Sequence, residues 1–298
     1  MTDITGPDGL ADALDQQGYL ADEGIATAAY LALTLRRPLF VEGDAGVGKT
    51  ALAHALAGVV GAPLIRLQCY EGLDAAQALY DWDFPRQLLH LRAVEAAAGG
   101  ASVDAAALER EIYSREFLLA RPLLQAIETS PAVLLVDEVD RADDEFEAFL
   151  LEVLSDFTVT IPELGTVAAE VPPLVIVTSN RTREVHDALK RRCLYHWVEH
   201  PSYAREVAIV QRRCAAASQR LAEQVTAVVQ RLRAEDLLKP PGVAETIDWV
   251  DALVAVGADD LDDERARLTL GAVLKYREDQ DRVLEIGLSR LLAEAGRG

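Results

Sequence analysis

The sequence predicts an α/β fold: a P-loop core built on a parallel sheet with helices on both faces, followed by a small all-helical lid domain. Three observations carry this expectation. Residues Gly43–Thr50 read G-x-x-x-x-G-K-T and stand between a short apolar strand signal and a helical one. Short apolar runs then alternate with helical stretches, the pattern of parallel strands joined by crossover helices. Beyond His200 the strand signals stop and almost everything reads as helix. The expected domains are therefore residues 1–199, with an insertion at about 70–115, and residues 200–298.

Taken in order, Ile4–Tyr19 is polar with sparse apolar positions, a helix of the flank. Gly24–Arg37 follows a possible N-cap at Asp22 and carries Ile25, Ala28, Ala29, Leu31, Ala32 and Leu35 at helical spacing. Pro38–Val41 has the look of a buried parallel strand. Ala51–Ala57 is rich in helix formers. Gly61-Ala62-Pro63 breaks the chain, and Leu64–Cys69 reads as the second strand.

Tyr70–Arg115 reads as an insertion with helical pieces, including the aromatic residues Tyr80, Trp82 and Phe84 and an alanine- and glycine-rich tract from Ala96 to Ala107. Packing against the core is the expected use of the aromatics, with partner contact as the alternative. Arg115–Glu128 predicts a helix with Phe117, Leu118, Leu123, Leu124 and Ile127 on its apolar face. Ala132–Glu138 is a buried strand ending in two carboxylates, and Asp144–Ser155 is helical. Thr158–Pro162 and Val167–Val171 flank Glu163–Thr166, which suggests a hairpin. Leu174–Asn180 is a further core strand ending in an amide. The helical remainder is broken at Lys239-Pro240-Pro241-Gly242 and by acidic turns between Asp259 and Glu264.

Of the 298 residues, half are hydrophobic, enough for a packed core, yet no apolar run approaches the roughly 18 residues of a membrane span. The N-terminus is polar and acidic, unlike a secretory signal. Three scattered cysteines, Cys69, Cys193 and Cys214, do not make a disulfide framework or a zinc site, so a cytoplasmic protein is expected. A net charge of −20 opposes nucleic-acid binding and favours protein partners, although Lys190-Arg191-Arg192 is a local basic patch.

The motif has a direct chemical reading. Backbone N–H groups across Gly43, Asp44, Ala45, Gly46, Val47, Gly48, Lys49, Thr50 and Ala51 would cradle the phosphates of a nucleoside triphosphate. The following helix adds its positive N-terminal end. Lys49 would reach the β- and γ-phosphates, and Thr50 would offer its hydroxyl to Mg²⁺. Asp137 is the second candidate magnesium ligand, acting through water, and Glu138 the candidate for orienting or deprotonating the attacking water. Asn180 is placed to sense the γ-phosphate. Arg192, with Arg191 as second choice, is the candidate arginine finger, a role worth about 10³ to 10⁵ in phosphoryl transfer.

In this order the residues resemble the AAA+ ATPases, and more narrowly their MoxR branch. Asp137-Glu138-Val139-Asp140-Arg141-Ala142 looks like that branch's D-E-[IV]-[ND]-R-A signature, and Phe149–Leu154 resembles the helix that follows it. Arg66-Leu67-Gln68-Cys69 looks like its second strand, where Gln68 would couple partner contact to Glu138. The resemblance implies ATP and Mg²⁺ as cofactors and a hexameric ring with ATP held between one subunit's loop and the next subunit's arginine. It further implies a von Willebrand factor A domain partner and a chaperone role toward a protein client. Tyr80-Asp81-Trp82, Arg191-Arg192-Cys193 and Pro240-Pro241 look like members linked to maturing molybdenum hydroxylases such as carbon monoxide dehydrogenase. One departure stands out. Where many AAA+ lids carry a second sensor arginine, this chain has Gly242-Val243-Ala244-Glu245-Thr246. Two other classes compete: a nucleic-acid motor of the branch-migration or restriction-associated type, opposed by the acidic charge, and a nucleotide-gated binding module, opposed by Glu138 and Asn180.

Overall fold

Apolar strands buried on both faces set the architecture of the N-terminal half. The computed structural model describes residues 4–99 and 104–295; residues 100–103, within the alanine- and glycine-rich tract, lie outside the described residues. Helices α1 (Gly6–Gln16) and α2 (Glu23–Leu35) precede β1 (Leu39–Gly43), every residue of which is buried. Helix α3 (Lys49–Val60) begins inside the glycine motif and leads to β2 (Leu64–Gln68).

The insertion is built from local capping signals. Helix α4 (Ala75–Leu79) starts at a capping box formed by Asp74 and Gln77 and runs into β3 (Tyr80–Trp82). Asp83, with Pro85 in the first turn, starts α5 (Phe84–Ala98), and Asp104 caps α6 (Ala105–Ile112). The expected helix over Arg115–Glu128 is instead three pieces: a single 3₁₀ turn at Arg115–Phe117, β4 (Leu118–Ala120) and α7 (Pro122–Glu128). Pro122 decides this, because it disfavours helical backbone at Arg121 and suits only the first turn of a helix. Strand β4 pairs antiparallel with β3, so the excursion closes at residue 120. Tyr80 and Trp82 pack edge to face at 6.1 Å, and Trp82 meets Tyr113 at 5.2 Å. Phe84, by contrast, is exposed, as are Leu88 and Leu89 on α5.

Strand β5 (Val133–Asp137) is wholly buried and leads to α8 (Asp144–Asp156), whose N-cap Asp143 accepts from the Phe146 N–H at 2.9 Å. A hairpin, β6 (Thr158–Ile161) and β7 (Gly165–Ala168), turns more tightly than its sequence suggests. Then come β8 (Leu174–Ser179), α9 (Asp187–Arg192) and β9 (Leu194–Val198), the last a strand that the apolar pattern does not announce.

The main sheet has the order β2-β5-β8-β1-β9, with the β2–β5, β5–β8 and β8–β1 pairs parallel. Leu134, Val136, Val175, Val177 and Phe40 join the main core on one face. Val133, Leu135, Ile176, Leu39 and Val41, which point the other way along the same strands, are equally buried, so both faces are covered. The parallel register brings the C-terminal ends of β5, β8 and β1 to one edge of the sheet.

The helical region comprises α10 (Tyr203–Arg213), α11 (Gln219–Arg233), α12 (Val243–Ala255), α13 (Asp263–Val273), α14 (Arg277–Ile286) and α15 (Leu288–Ala295). Its own core gathers Leu221, Val225, Val229, Trp249, Leu253 and Leu270. Inside it a buried polar knot satisfies itself. Glu206 accepts from both Arg233 Nη atoms at 2.6 Å and from Thr246 Oγ1 at 2.7 Å.

By proximity of the backbone the chain divides into two compact units. One holds Met1–Leu10, Glu23–Glu42 and Ala53–His196; the other holds Ala11–Asp22, Gly43–Leu52 and Trp197–Gly298. Among the described residues no helix is long and apolar enough to cross a membrane. All three cysteines are free and buried, and burial pushes each thiol up to about 12, which leaves no thiolate chemistry near neutrality.

Candidate functional site

The glycine motif forms a loop directly after β1 and belongs to the second unit. Gly46 and Gly48 take φ of +78° and +99°, backbone that side chains other than glycine rarely adopt. Gly46 is also closely approached: a Cβ there would lie 2.7 Å from Glu245 Oε2 and 3.3 Å from the Gly242 Cα. Lys49 is buried at 6 % exposure, and its ammonium donates to the Gly43 and Asp44 carbonyls at 2.7 Å each. An ammonium held in its own loop, at the first turn of a twelve-residue helix, is the donor set that suits polyphosphate.

The start of α12 meets this loop. The Ala244 N–H donates to the Gly46 carbonyl at 3.1 Å, and Glu245 Oε2 accepts from the Gly242 N–H at 2.9 Å. Contact with the loop is therefore kept without a cation. Elsewhere on the loop, His200 Nε2 lies 3.3 Å from Asp44 Oδ2, while His200 Nδ1 is buried without a hydrogen-bond partner. Burial holds the His200 imidazole below its ordinary 6.5; Arg233 acts in the same direction and Asp44 against it.

The acids belong to the first unit. Asp137 closes β5 and is 3 % exposed. Its Oδ1 accepts from Thr178 Oγ1 at 2.5 Å, and its Oδ2 from Arg66 Nε and Nη2 at 3.0 and 2.6 Å. A carboxylate oxygen accepts from more than one donor, so these contacts are compatible with a metal-bound water on the same group. Magnesium takes few protein oxygens and retains water, so a single carboxylate such as Asp137 is the kind of ligand that suits it. Among the described residues no cluster of three or more His, Cys, Asp or Glu offers a different kind of metal site.

Glu138 follows immediately in left-handed backbone, φ +56°, with its N–H on Thr178 Oγ1 at 2.9 Å. That turn swings its carboxylate out of the strand and into a set of donors. Asn180 Nδ2 reaches Oε1 at 3.0 Å; Gln68 Nε2 and Arg141 Nε reach Oε2, both at 3.0 Å. Gln68 Oε1 in turn accepts from Arg66 Nη2, so Arg66 connects the two acids through Gln68. Asp140, 2 % exposed, accepts from the N–H groups of Asn180 and Thr182 and from Thr182 Oγ1, which fixes the turn that carries Asn180.

Glu138, Asn180 and Gln68 thus come together. Arg191 and Arg192 do not join them: both are exposed at the end of α9 and, with Leu151, His186, Asp187 and Ala188, line a groove of about 520 Å³. Their backbone carbonyls are held by Arg37, which reaches each at 3.1 Å.

Sequence reasoning missed a further buried carboxylate beside the site. Glu42, 3 % exposed, accepts from Ser179 Oγ at 3.3 Å, Lys190 Nζ at 3.4 Å and Tyr195 OH at 2.9 Å. The available signal was an acid closing the apolar run Leu39–Val41, one residue before the first motif glycine. Arg66 and Thr178 were equally silent, because nothing local marks a side chain that pairs with a residue far along the chain.

Comparison with known proteins adds the family. Residues 38–193, just over half of the chain, match the family described as "AAA domain (dynein-related subfamily)". Among solved structures, a proline-to-glycine mutant of Thermotoga maritima RuvB is similar at 16 % identity, over 98 % of this chain and 83 % of that one, with a TM-score of 0.49. The Thermotoga maritima RuvB Holliday junction branch migration motor is similar at 15 % identity, over 89 % and 70 %, with a TM-score of 0.47. Likenesses this distant do not bear on what the chain acts upon.

Proposed function

The chain belongs to the AAA domain family, dynein-related subfamily, and from that premise we propose that it is a MoxR-type ATPase that remodels or activates a protein client. One observation supports turnover above the rest: Glu138 stands at the end of β5 with the Asn180 amide 3.0 Å from its carboxylate. A carboxylate and an amide so paired orient and deprotonate a water aimed at a γ-phosphate. In this reading the loop Gly43–Ala51 holds ATP, and Lys49 turns from its own carbonyls to the β- and γ-phosphates. Thr50 and Asp137 would hold Mg²⁺, which when bound supplies charge neutralisation to the phosphate oxygens. Arg192, or Arg191 beside it, leaves the exposed end of α9 to reach the nucleotide of a neighbouring copy, so the working form is a ring, a hexamer by analogy with the branch.

A protein client rather than nucleic acid is favoured by the net charge of −20 and by the exposed apolar face of α5, where Phe84, Leu88 and Leu89 offer a contact surface. The D-E-V-D-R-A stretch supports the MoxR branch, and with it a von Willebrand factor A domain partner, a metalloenzyme client and a cytoplasmic setting. Three experiments test the reading. Glu138→Gln binds ATP but releases phosphate far more slowly; turnover equal to the parent overturns the role given to Glu138. Mixing Arg192→Ala with Lys49→Ala subunits restores part of the lost activity, because some interfaces regain an intact loop and an intact arginine. Absence of recovery places the arginine within its own chain. Strong stimulation of turnover by DNA at moderate salt would move the assignment to a nucleic-acid motor.

A further inference from the structure

We infer that Glu42 and Lys190 are positioning residues that fix the arginine-bearing helix α9 to the strand β1 that carries the subunit's own phosphate loop. The inference rests on the proposed shared-site ring and adds to it a route by which one subunit's loop governs the arginine it lends.

The geometry is that of a hub. Glu42 is covalently next to Gly43, the first glycine of the loop. Each of two donors on its carboxylate is next to another site residue: Ser179 precedes Asn180, and Lys190 precedes Arg191. The third donor, Tyr195 on β9, stacks on Phe40 of β1 with ring centres 6.1 Å apart and planes 19° apart. The Lys190 ammonium also lies 5.5 Å above the Phe40 ring, so it is attached to β1 by charge and by the aromatic face. Burial, then the Glu42 contact, pushes the Tyr195 hydroxyl up to about 12; it therefore remains a donor throughout the working pH range.

A second tether lies at the opposite end of the same strand. Arg37, just before β1, donates to the carbonyls of Arg191 and Arg192 at 3.1 Å each. Helix α9 is thus held at both ends of β1. A buried carboxylate is costly unless its partners are well placed, and an apolar residue fills such a site at no electrostatic penalty. A carboxylate kept there transmits displacement instead. When the backbone at Gly43 shifts around phosphate, Glu42 shifts with it, and Lys190 and the two arginines follow.

The test is Lys190→Met, which keeps the length of the side chain and removes its charge, with Lys190→Arg as the conservative control. Three readouts are taken: affinity for a fluorescent ATP analogue, steady-state phosphate release, and activity in mixtures with Lys49→Ala subunits. Lys190→Met is expected to bind nucleotide like the parent while kcat falls by about tenfold or more, the order of loss for a misplaced catalytic group. Its activity recovers in part with Lys49→Ala subunits, which bring intact α9 helices to its intact loops. Lys190→Arg restores most of the rate. Where Lys190→Met does not fold, Tyr195→Phe takes its place, with unchanged affinity, a smaller fall in kcat and the same recovery in mixtures. A parental kcat, or loss of affinity with kcat unchanged, overturns the inference. The Arg192→Ala and Lys49→Ala mixture, run alongside, separates the two claims. If it fails to recover, the shared-site ring itself is wrong; if it recovers and the Lys190→Met mixture does not, only the positioning role is wrong.

Discussion

Replacing Gln68 with alanine should raise the basal rate of ATP turnover. Each donor held on the Glu138 carboxylate stabilises its ionised form and makes it a weaker base toward water, and here Oε1 serves Asn180 while Oε2 serves Gln68 and Arg141. Freeing Oε2 means giving up those contacts in part. A hydrogen bond to an ionised group is worth about 1.5 to 3 kcal/mol. Arg141 is more than half exposed, so its share is discounted for screening, and Gln68 carries most of the hold. Taking the lower end, because Glu138 is itself partly exposed, gives about 1.5 kcal/mol, or just over tenfold in rate. Phosphate release at saturating ATP measures it, with nucleotide affinity as the control. In the Gln68→Ala, Glu138→Gln double variant the gain should vanish, since it passes through the carboxylate. A Gln68→Ala protein with parental affinity and a parental or lower rate would show that Gln68 does not restrain Glu138.

Two further outcomes rest on the helical region. Glu206→Ala leaves the Arg233 guanidinium buried and uncompensated and should lower stability by about 3 to 5 kcal/mol. Urea unfolding followed through the buried Trp249 measures the loss, and a change within experimental error would show that the knot is not a net contributor. His200, held below 6.5 by burial and by Arg233, favours folding in its neutral form. Its unfolded form binds the proton more readily, so its contribution is complete above about pH 6.5 and is lost as pH falls below it. His200→Gln should therefore narrow the difference between melting temperatures at pH 7.5 and pH 5.5, and an equal or wider difference would refute the assignment.

How far the fold was legible depended on how each strand is buried. Val133–Asp137 and Leu174–Ser179 lie inside the sheet, covered on both faces, and they read as unbroken apolar runs. Strand β9 lies at the edge, where only Val198 is fully buried, and Leu194-Tyr195-His196-Trp197-Val198 has no pattern that separates it from a loop. The same logic explains the misread helix at Arg115–Glu128. Its apolar residues do enter the core as expected, but Phe117 and Leu118 arrive from a turn and a strand, and only Pro122 in the sequence says so.

The candidate site divides along a different line. Gly43–Thr50 and Asp137-Glu138 are legible because each candidate motif is made of neighbouring residues, so spacing alone records it. Glu42, Lys190 and Tyr195 meet across 148 and 153 residues of chain, and the partners of a buried acid leave no local trace. Even the missing second sensor arginine was legible only as an absence. The contact found there, the Ala244 N–H on the Gly46 carbonyl with Glu245 capping Gly242, is backbone chemistry that almost any residue at 244 would supply. The glycines at 46 and 242 are the exception: without a Cβ, their backbones approach closely, and a substituent on Gly242 would lie 2.6 Å from the Ala45 carbonyl oxygen. At this contact steric fit decides, so the sequence signal is a pair of glycines, one of them inside a motif where its presence already had another explanation.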